Sequence, residues 1–245
     1  MNLNLIGRTA LVSGATKGIG RAIALGFAAE GCNVAVCARS ESDVGAMVET
    51  LQGAGVAAFG MAVDVCNGDS VKNFVDATAD KFGGIDIVVS NVSAASGDWN
   101  DMFQTDLLGA TRLFDSALPY FKKSSQASFT AISSRAAYTG GGAYSAMKCA
   151  LMSYVKGLSW DYAPIGIRAN IVSPGDIYFK DGFWDRMERT MPDVWADAQV
   201  RNRMGRLGRP EEIASAVVFL SSPAASFISG ANLRVDGSGS PTTQF

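Results

Sequence analysis

The sequence predicts an α/β fold: a single-domain Rossmann-type doubly wound parallel sheet with helices on both faces. Three observations predict it. Short apolar strands alternate along the chain with segments of helical periodicity. Residues 85–90, apolar but for Asp86 and Ser90, read as a parallel strand buried on both faces. The first strand enters a glycine-rich turn that opens a helix, as in dinucleotide-binding sheets. With 245 residues and 48% apolar content, the chain can bury one large core. No linker, repeat or low-complexity stretch divides it, so residues 1–245 read as one domain.

Each element is justified in turn. Residues 9–13 form the first strand. Residues 19–30 carry apolar side chains at helical spacing, and Gly31 stops that helix. Residues 33–37 read as a strand, 41–52 as a helix, and 57–65 hold the third strand. A helix over 70–82 leads to the strand 85–90, and a long helix is expected from about 98 to 121. Residues 127–134 read as a strand, 144–163 as a helix and 167–172 as a strand. The segment 176–209 breaks this rhythm and is expected to be an irregular substrate lid. A capped helix over 210–220 and a strand over 232–235 close the chain.

Composition excludes several functions. Net charge is −2 with no basic run, which leaves nucleic acid and membrane surfaces without support. The start, Met1-Asn2-Leu3-Asn4-Leu5, lacks the basic and apolar regions of a secretory signal. No run of about 18 apolar residues suggests a membrane span. A cytoplasmic location is therefore expected. Cys32, Cys37, Cys66 and Cys149 contain no Cys-x-x-Cys pair and read as reduced thiols. There is no histidine, so a Ser-His-Asp triad and histidine metal sites are excluded, and no metal is expected. Proton chemistry falls to Tyr, Lys, Asp, Glu or Cys.

The turn Ser13-Gly14-Ala15-Thr16-Lys17-Gly18-Ile19-Gly20 has the makings of a phosphate cradle. Glycines permit the tight turn, the approach of a diphosphate and close packing of the helix start. The helix N-terminus presents free N–H groups to an anion. The second strand ends Val36-Cys37-Ala38-Arg39, without the acid that would bind a ribose 2′-hydroxyl. Arg39 and Lys17 can instead pair a 2′-phosphate, so the cofactor is expected to be NADP(H). Further on, Tyr144 and Lys148 lie four apart on one helical face. A free tyrosine titrates near pH 10, and a neighbouring ammonium favours its phenolate. Tyr144 is thus a candidate acid/base at a substrate oxygen.

These motifs, in this order, resemble the classical short-chain dehydrogenase/reductase family, with Ser13 in the usual threonine place of its glycine loop. The resemblance covers nearly the whole chain and is nearest to 3-oxoacyl-(acyl-carrier-protein) reductase-like members. It extends to Asn170-Ile171-Val172-Ser173-Pro174-Gly175, to residues 205–214 and to Val235-Asp236-Gly237-Ser238. It implies catalytic roles for Ser134, Tyr144, Lys148 and Asp106, with Lys148 also reaching the cofactor ribose. Ser133 stays open beside Ser134, because the gap to Tyr144 is shorter than the family's. It implies cofactor contacts from Gly14, Thr16, Lys17, Gly18, Ile19, Gly20, Arg39, Asp64, Val65, Asn91, Lys148, Pro174, Gly175 and Ile177. It also implies a homotetramer.

Three residues depart from the family pattern. Ser93 replaces a glycine beside the cofactor. Asp106 replaces an asparagine that holds a helix kink and a proton-relay water. Phe179 replaces a threonine that touches the nicotinamide carboxamide.

The expected function is an NADP(H)-dependent interconversion of a ketone and a secondary alcohol. The substrate is expected to be an apolar small molecule, aromatic or alicyclic. Phe179, Phe183, Trp184, Met187, Met191 and Trp195 supply large adaptable surfaces in the lid. The spacing of Phe183, Met187 and Met191 lets a short helix turn all three one way. Packing of these residues on the protein's own core is the plainer reading. Arg186, Arg189, Arg201 and Arg203 could instead meet an acidic group. Two other functions remain: an NAD-linked alcohol or polyol dehydrogenase, and a non-catalytic dinucleotide-binding regulator.

Overall fold

The computed structural model describes residues 2–243. Its strands are β1 (Thr9–Ser13), β2 (Asn33–Ala38), β3 (Ala58–Ala62), β4 (Ile87–Ser90), β5 (Ser128–Ile132), β6 (Arg168–Pro174) and β7 (Asn232–Val235). The helices are α1 (Gly18–Ala29), α2 (Glu41–Gly53), α3 (Gly68–Phe82), α4 (Trp99–Met102), α5 (Gly109–Phe121), α6 (Ala136–Thr139), α7 (Gly142–Tyr162), α8 (Phe183–Thr190), α9 (Pro192–Arg201) and α10 (Pro210–Ser221). The expected doubly wound parallel sheet is present.

The strand order is β3-β2-β1-β4-β5-β6-β7, and every neighbouring pair is parallel. The chain winds outward from β1 to β3, then returns to the other side of β1. That reversal opens a crevice beyond the carboxyl ends of β1 and β4.

Strand chemistry explains the layers. β1, β4, β5 and β6 are buried throughout, as strands covered on both faces must be. Along β1, Val12 joins one core with Val36, Phe27 and Val217, while Leu11 joins the other with Phe74, Phe114 and Phe129. Phe114 meets Phe129 edge to face at 5.4 Å. Truncating a buried phenylalanine of this kind costs about 3–5 kcal/mol.

Two expectations need correction. The long helix over residues 98–121 is interrupted by a π-helical turn, Phe103–Leu108, which carries the buried Asp106. Sequence periodicity spans such a turn without registering the extra residue. The segment 176–209 is also more regular than expected, because α8 and α9 lie within it. Pro192 starts α9 at its first position and cannot continue α8, so the joined pattern reads as irregular. No helix among the described residues is long and apolar enough to cross a membrane.

Candidate active site

The glycine turn joins β1 to α1 at the crevice. Gly14 has φ +64° and Gly18 φ +53°, the left-handed region that favours glycine. A Cβ on Gly20 would stand 2.2 Å from the Gly14 carbonyl oxygen, so only hydrogen fits there. Asn91, just past β4, donates from Nδ2 to the carbonyls of Ser13 and Gly14, each at 3.1 Å. Its backbone N–H donates to Ser13 Oγ at 3.0 Å. Asn91 therefore buttresses the turn. Ser13 completes the brace by donating to the Val89 carbonyl at 3.2 Å.

The first turn of α1 contains no acidic residue, so its N–H groups face no competing carboxylate. Lys17 and Arg39 are exposed near the two ends of this edge, and Thr16 and Ile19 are half-buried. A dinucleotide diphosphate fits these features: a glycine-only cradle, a helix N-terminus and flanking cations. Asp64 is exposed, and its carboxylate accepts the Cys66 N–H at 2.9 Å. Val65 is buried and would crowd a Cβ on Gly109 at 3.1 Å.

The candidate acid-base group lies across the crevice. Gly142 opens α7, and one turn of it sets Tyr144 and Lys148 on a common face. Lys148 Nζ lies 5.7 Å from the centre of the Tyr144 ring. Lys148 is buried, donates to the Ile132 carbonyl at 3.0 Å and approaches Asp106 Oδ1 at 2.9 Å. That approach is off the directions of a hydrogen bond, so charge holds the pair. Asp106 Oδ2 accepts the Ala94 N–H at 2.9 Å. One carboxylate thus ties the lysine to the loop after β4, where Ala95 sits at φ +48°. The π turn aims Asp106 inward.

The two serines differ. Ser133 is buried and its hydroxyl donates to the Lys148 carbonyl at 3.1 Å. Ser134 is half-buried and accepts the Ala136 N–H at 3.1 Å, keeping its own proton available. Tyr178 lies at the start of segment 176–209, and its hydroxyl is pushed up to about 12 by the Glu188 and Asp185 carboxylates. It is a poor proton donor or acceptor at neutral pH. Burial likewise pushes the Cys32 and Cys37 thiols up to about 12, which makes both inert. Among the described residues, no group of three or more His, Cys, Asp or Glu could hold a metal ion.

Pro174, Gly175 and Ile177 follow the end of β6, and a Cβ on Gly175 would meet the Asp236 backbone at 2.7 Å. Beyond them the lid's aromatics contact one another. Trp195 meets Tyr178 at 5.5 Å and Trp184 at 6.5 Å, and Trp184 meets Phe183 at 5.1 Å. The expectation that Phe183, Met187 and Met191 face one way is incorrect. Met187 is buried, Phe183 and Met191 are about half exposed, and Met191 lies past the end of α8.

Sequence reasoning missed Asp176. It is buried, accepts from Arg201 Nη2 at 2.9 Å and Asn202 Nδ2 at 3.3 Å, and faces Arg135 Nη2 at 3.5 Å. Arg201 in turn stacks over Trp184 at 5.8 Å. The available signal was an acid directly after Pro174-Gly175.

Comparison with known proteins finds relatives along nearly the whole chain. A model described as enoyl-(acyl carrier protein) reductase matches residues 14–239. Isoepoxydon dehydrogenase patN of Penicillium expansum is 35% identical, covering 100% of this chain and 99% of that protein. The 3-oxoacyl-(acyl-carrier-protein) reductase FabG of Vibrio cholerae is 34% identical over 96% of this chain and 98% of its own. L-Sorbose reductase of Gluconobacter frateurii, solved with NADPH and L-sorbose, superposes with a TM-score of 0.91 at 28% identity, covering 99% and 100% of the two chains. A 7α-hydroxysteroid dehydrogenase, solved with NADH and 7-oxo glycochenodeoxycholic acid, superposes with a TM-score of 0.90 at 28% identity, covering 99% and 98%.

Proposed function

The chain belongs to the short-chain dehydrogenase/reductase family of oxidoreductases, and from that premise we propose that it interconverts a ketone and a secondary alcohol with NADP(H). The observation that carries the reading is the Tyr144–Lys148 pair, set by one turn of α7 beside the carboxyl ends of the central strands. When bound, the nicotinamide supplies or accepts a hydride at the substrate carbon. In reduction, Ser134 donates a hydrogen bond to the substrate oxygen, and Tyr144 gives it the proton. In oxidation Tyr144 takes that proton back. Lys148 holds its ammonium near the Tyr144 ring, and Asp106 fixes Lys148 in place.

Gly14, Gly18 and Gly20, with the N-terminus of α1, would hold the diphosphate. Arg39 and Lys17 would pair the 2′-phosphate, and the absence of an acid at Ala38 supports NADP(H) over NAD(H). The substrate we favour is apolar, aromatic or alicyclic, because the lid offers Phe183, Trp184 and Trp195. The likeness to a 7α-hydroxysteroid dehydrogenase supports this, while the sorbose reductase favours the polyol reading. A cytoplasmic location and an assembly of four copies belong to the same proposal. Trp160, 80% exposed near the end of α7, suits a subunit contact.

A screen of ketones and secondary alcohols with both cofactors, read by absorbance of the reduced nicotinamide, tests the proposal. Turnover of alicyclic ketones with NADPH is expected. Cofactor binding without turnover on any substrate would leave the regulator reading in its place, and a preference for sugars with NADH the polyol reading.

A further inference from the structure

Gly18 has a second reason to be glycine beyond its backbone angle. A Cβ there would stand 2.7 Å from Phe179 Cζ, 2.9 Å from Cε1 and 3.0 Å from Cε2. The same ring would stop a Cβ on Gly182, which would lie 2.8 Å from Cε2 and Cζ. Two glycines, one in the cofactor turn and one at the start of the lid helix, make room for a single phenyl ring. The ring is half-buried, and the Phe179 carbonyl accepts the Gly182 N–H at 3.1 Å. Gly182 caps α8 with extended backbone, and Asp181 before it holds φ +62°. The ring, the short turn and the helix start therefore form one mechanical unit.

In a dinucleotide turn, a middle glycine gives the diphosphate clearance to reach the backbone. Here the clearance beside Gly18 is filled by the Phe179 ring. A phenyl ring has no polar group with which to satisfy the turn's N–H donors or an incoming phosphate.

We propose that Phe179 is a gate on the dinucleotide site. Seated on Gly18, it covers the diphosphate cradle. Cofactor enters once the ring has left Gly18, and that move, through Gly182, shifts the start of α8 and the lid proposed to face the substrate. This rests on the reading of the glycine turn as a diphosphate cradle. Only molecules with the ring unseated bind cofactor, so the apparent affinity falls by their fraction.

The test compares wild type, Phe179→Ala and the bulk-preserving Phe179→Leu. Binding of NADPH is measured beside binding of adenosine 2′-monophosphate, which has no diphosphate. Phe179→Ala should bind NADPH about tenfold tighter, as expected if about a tenth of the molecules are open. Phe179→Leu should fall between, and affinity for adenosine 2′-monophosphate should stay constant. Amide exchange over residues 182–190 should rise when NADPH is added to wild type. In Phe179→Ala it should be high from the start. Unchanged or weaker NADPH binding by Phe179→Ala overturns the gate, and so does an equal shift for both ligands. A wild type that binds neither ligand removes the cofactor reading, and the gate falls with it.

Discussion

Two walls of the same crevice are held in different ways. The β1–α1 turn is fixed by backbone constraint: glycines at positive φ, a contact that admits only hydrogen at Gly20, and the Asn91 amide spanning two carbonyls. The opposing lid is tied at its ends by a short backbone bridge, Ile177 to Gly208, and between them rests largely on side chains. Its aromatics lean on one another and it hangs from the carboxylate of Asp176, while Phe183 and Met191 stay half exposed. The first wall suits a ligand common to many enzymes, whose diphosphate never varies. The second can be repacked without disturbing the sheet, which suits a substrate particular to this one. The Tyr144–Lys148 pair proposed to carry the chemistry stands on α7, with Lys148 anchored to Asp106.

If this contrast is right, damage to the anchored wall should affect every substrate, and damage to the lid only some. The largest effect is expected from Lys148→Ala. It removes the charge beside Tyr144 and strands the buried Asp106 carboxylate, a loss of about 3–5 kcal/mol in stability. Turnover should fall for all substrates and cofactor affinity should fall with it, checked by steady-state kinetics, cofactor titration and thermal unfolding. Lys148→Ala with normal cofactor affinity would place the lysine outside the cofactor site.

Next in size is the paired change Ala38→Asp with Arg39→Ala. It puts an acid where a ribose 2′-hydroxyl would lie and removes a cation from the 2′-phosphate. The ratio of kcat/KM for NADPH over NADH should reverse. Equal efficiency with both cofactors in the wild type would already count against the assignment of Arg39.

The lid gives a smaller, selective effect. Trp184→Ala and Trp195→Ala should raise KM for aromatic and alicyclic ketones well above any change for small polar ones. If KM is untouched in both variants, the aromatic cluster is packing for its own sake.

The smallest effect is expected from Asp106→Asn. The amide oxygen can still accept the Ala94 N–H, so activity should persist. The amide no longer balances the buried Lys148 ammonium, so thermal stability should fall while turnover persists. An inactive variant would show that Asp106 does something else.

The same contrast explains what was legible in the sequence. The glycine turn, the strand runs and the Tyr144–Lys148 spacing were legible because each follows from local backbone geometry. The π turn was not, since one inserted residue leaves the apolar stripe of residues 98–121 nearly intact. Asn91 reads in the sequence only as a cofactor contact, and its grip on the turn depends on β1 and β4 becoming neighbours. Asp176 was missed because its partners, Arg135 and Arg201, lie 41 and 25 residues away in the chain. Ser133 and Ser134 are adjacent in sequence, and only burial separates the hydroxyl spent on Lys148 from the one that keeps its proton.

The central claim is that Tyr144 carries the proton at the substrate oxygen. It is tested most directly by Tyr144→Phe, with kcat and NADPH affinity measured on the same preparation. The change removes one oxygen at the half-buried mouth of α7, so the fold and the cofactor wall should stay intact. Turnover should be abolished while NADPH binds nearly as tightly as before. A variant that keeps more than about a tenth of the wild-type kcat, a loss below about 1.4 kcal/mol in the barrier, would contradict the assignment.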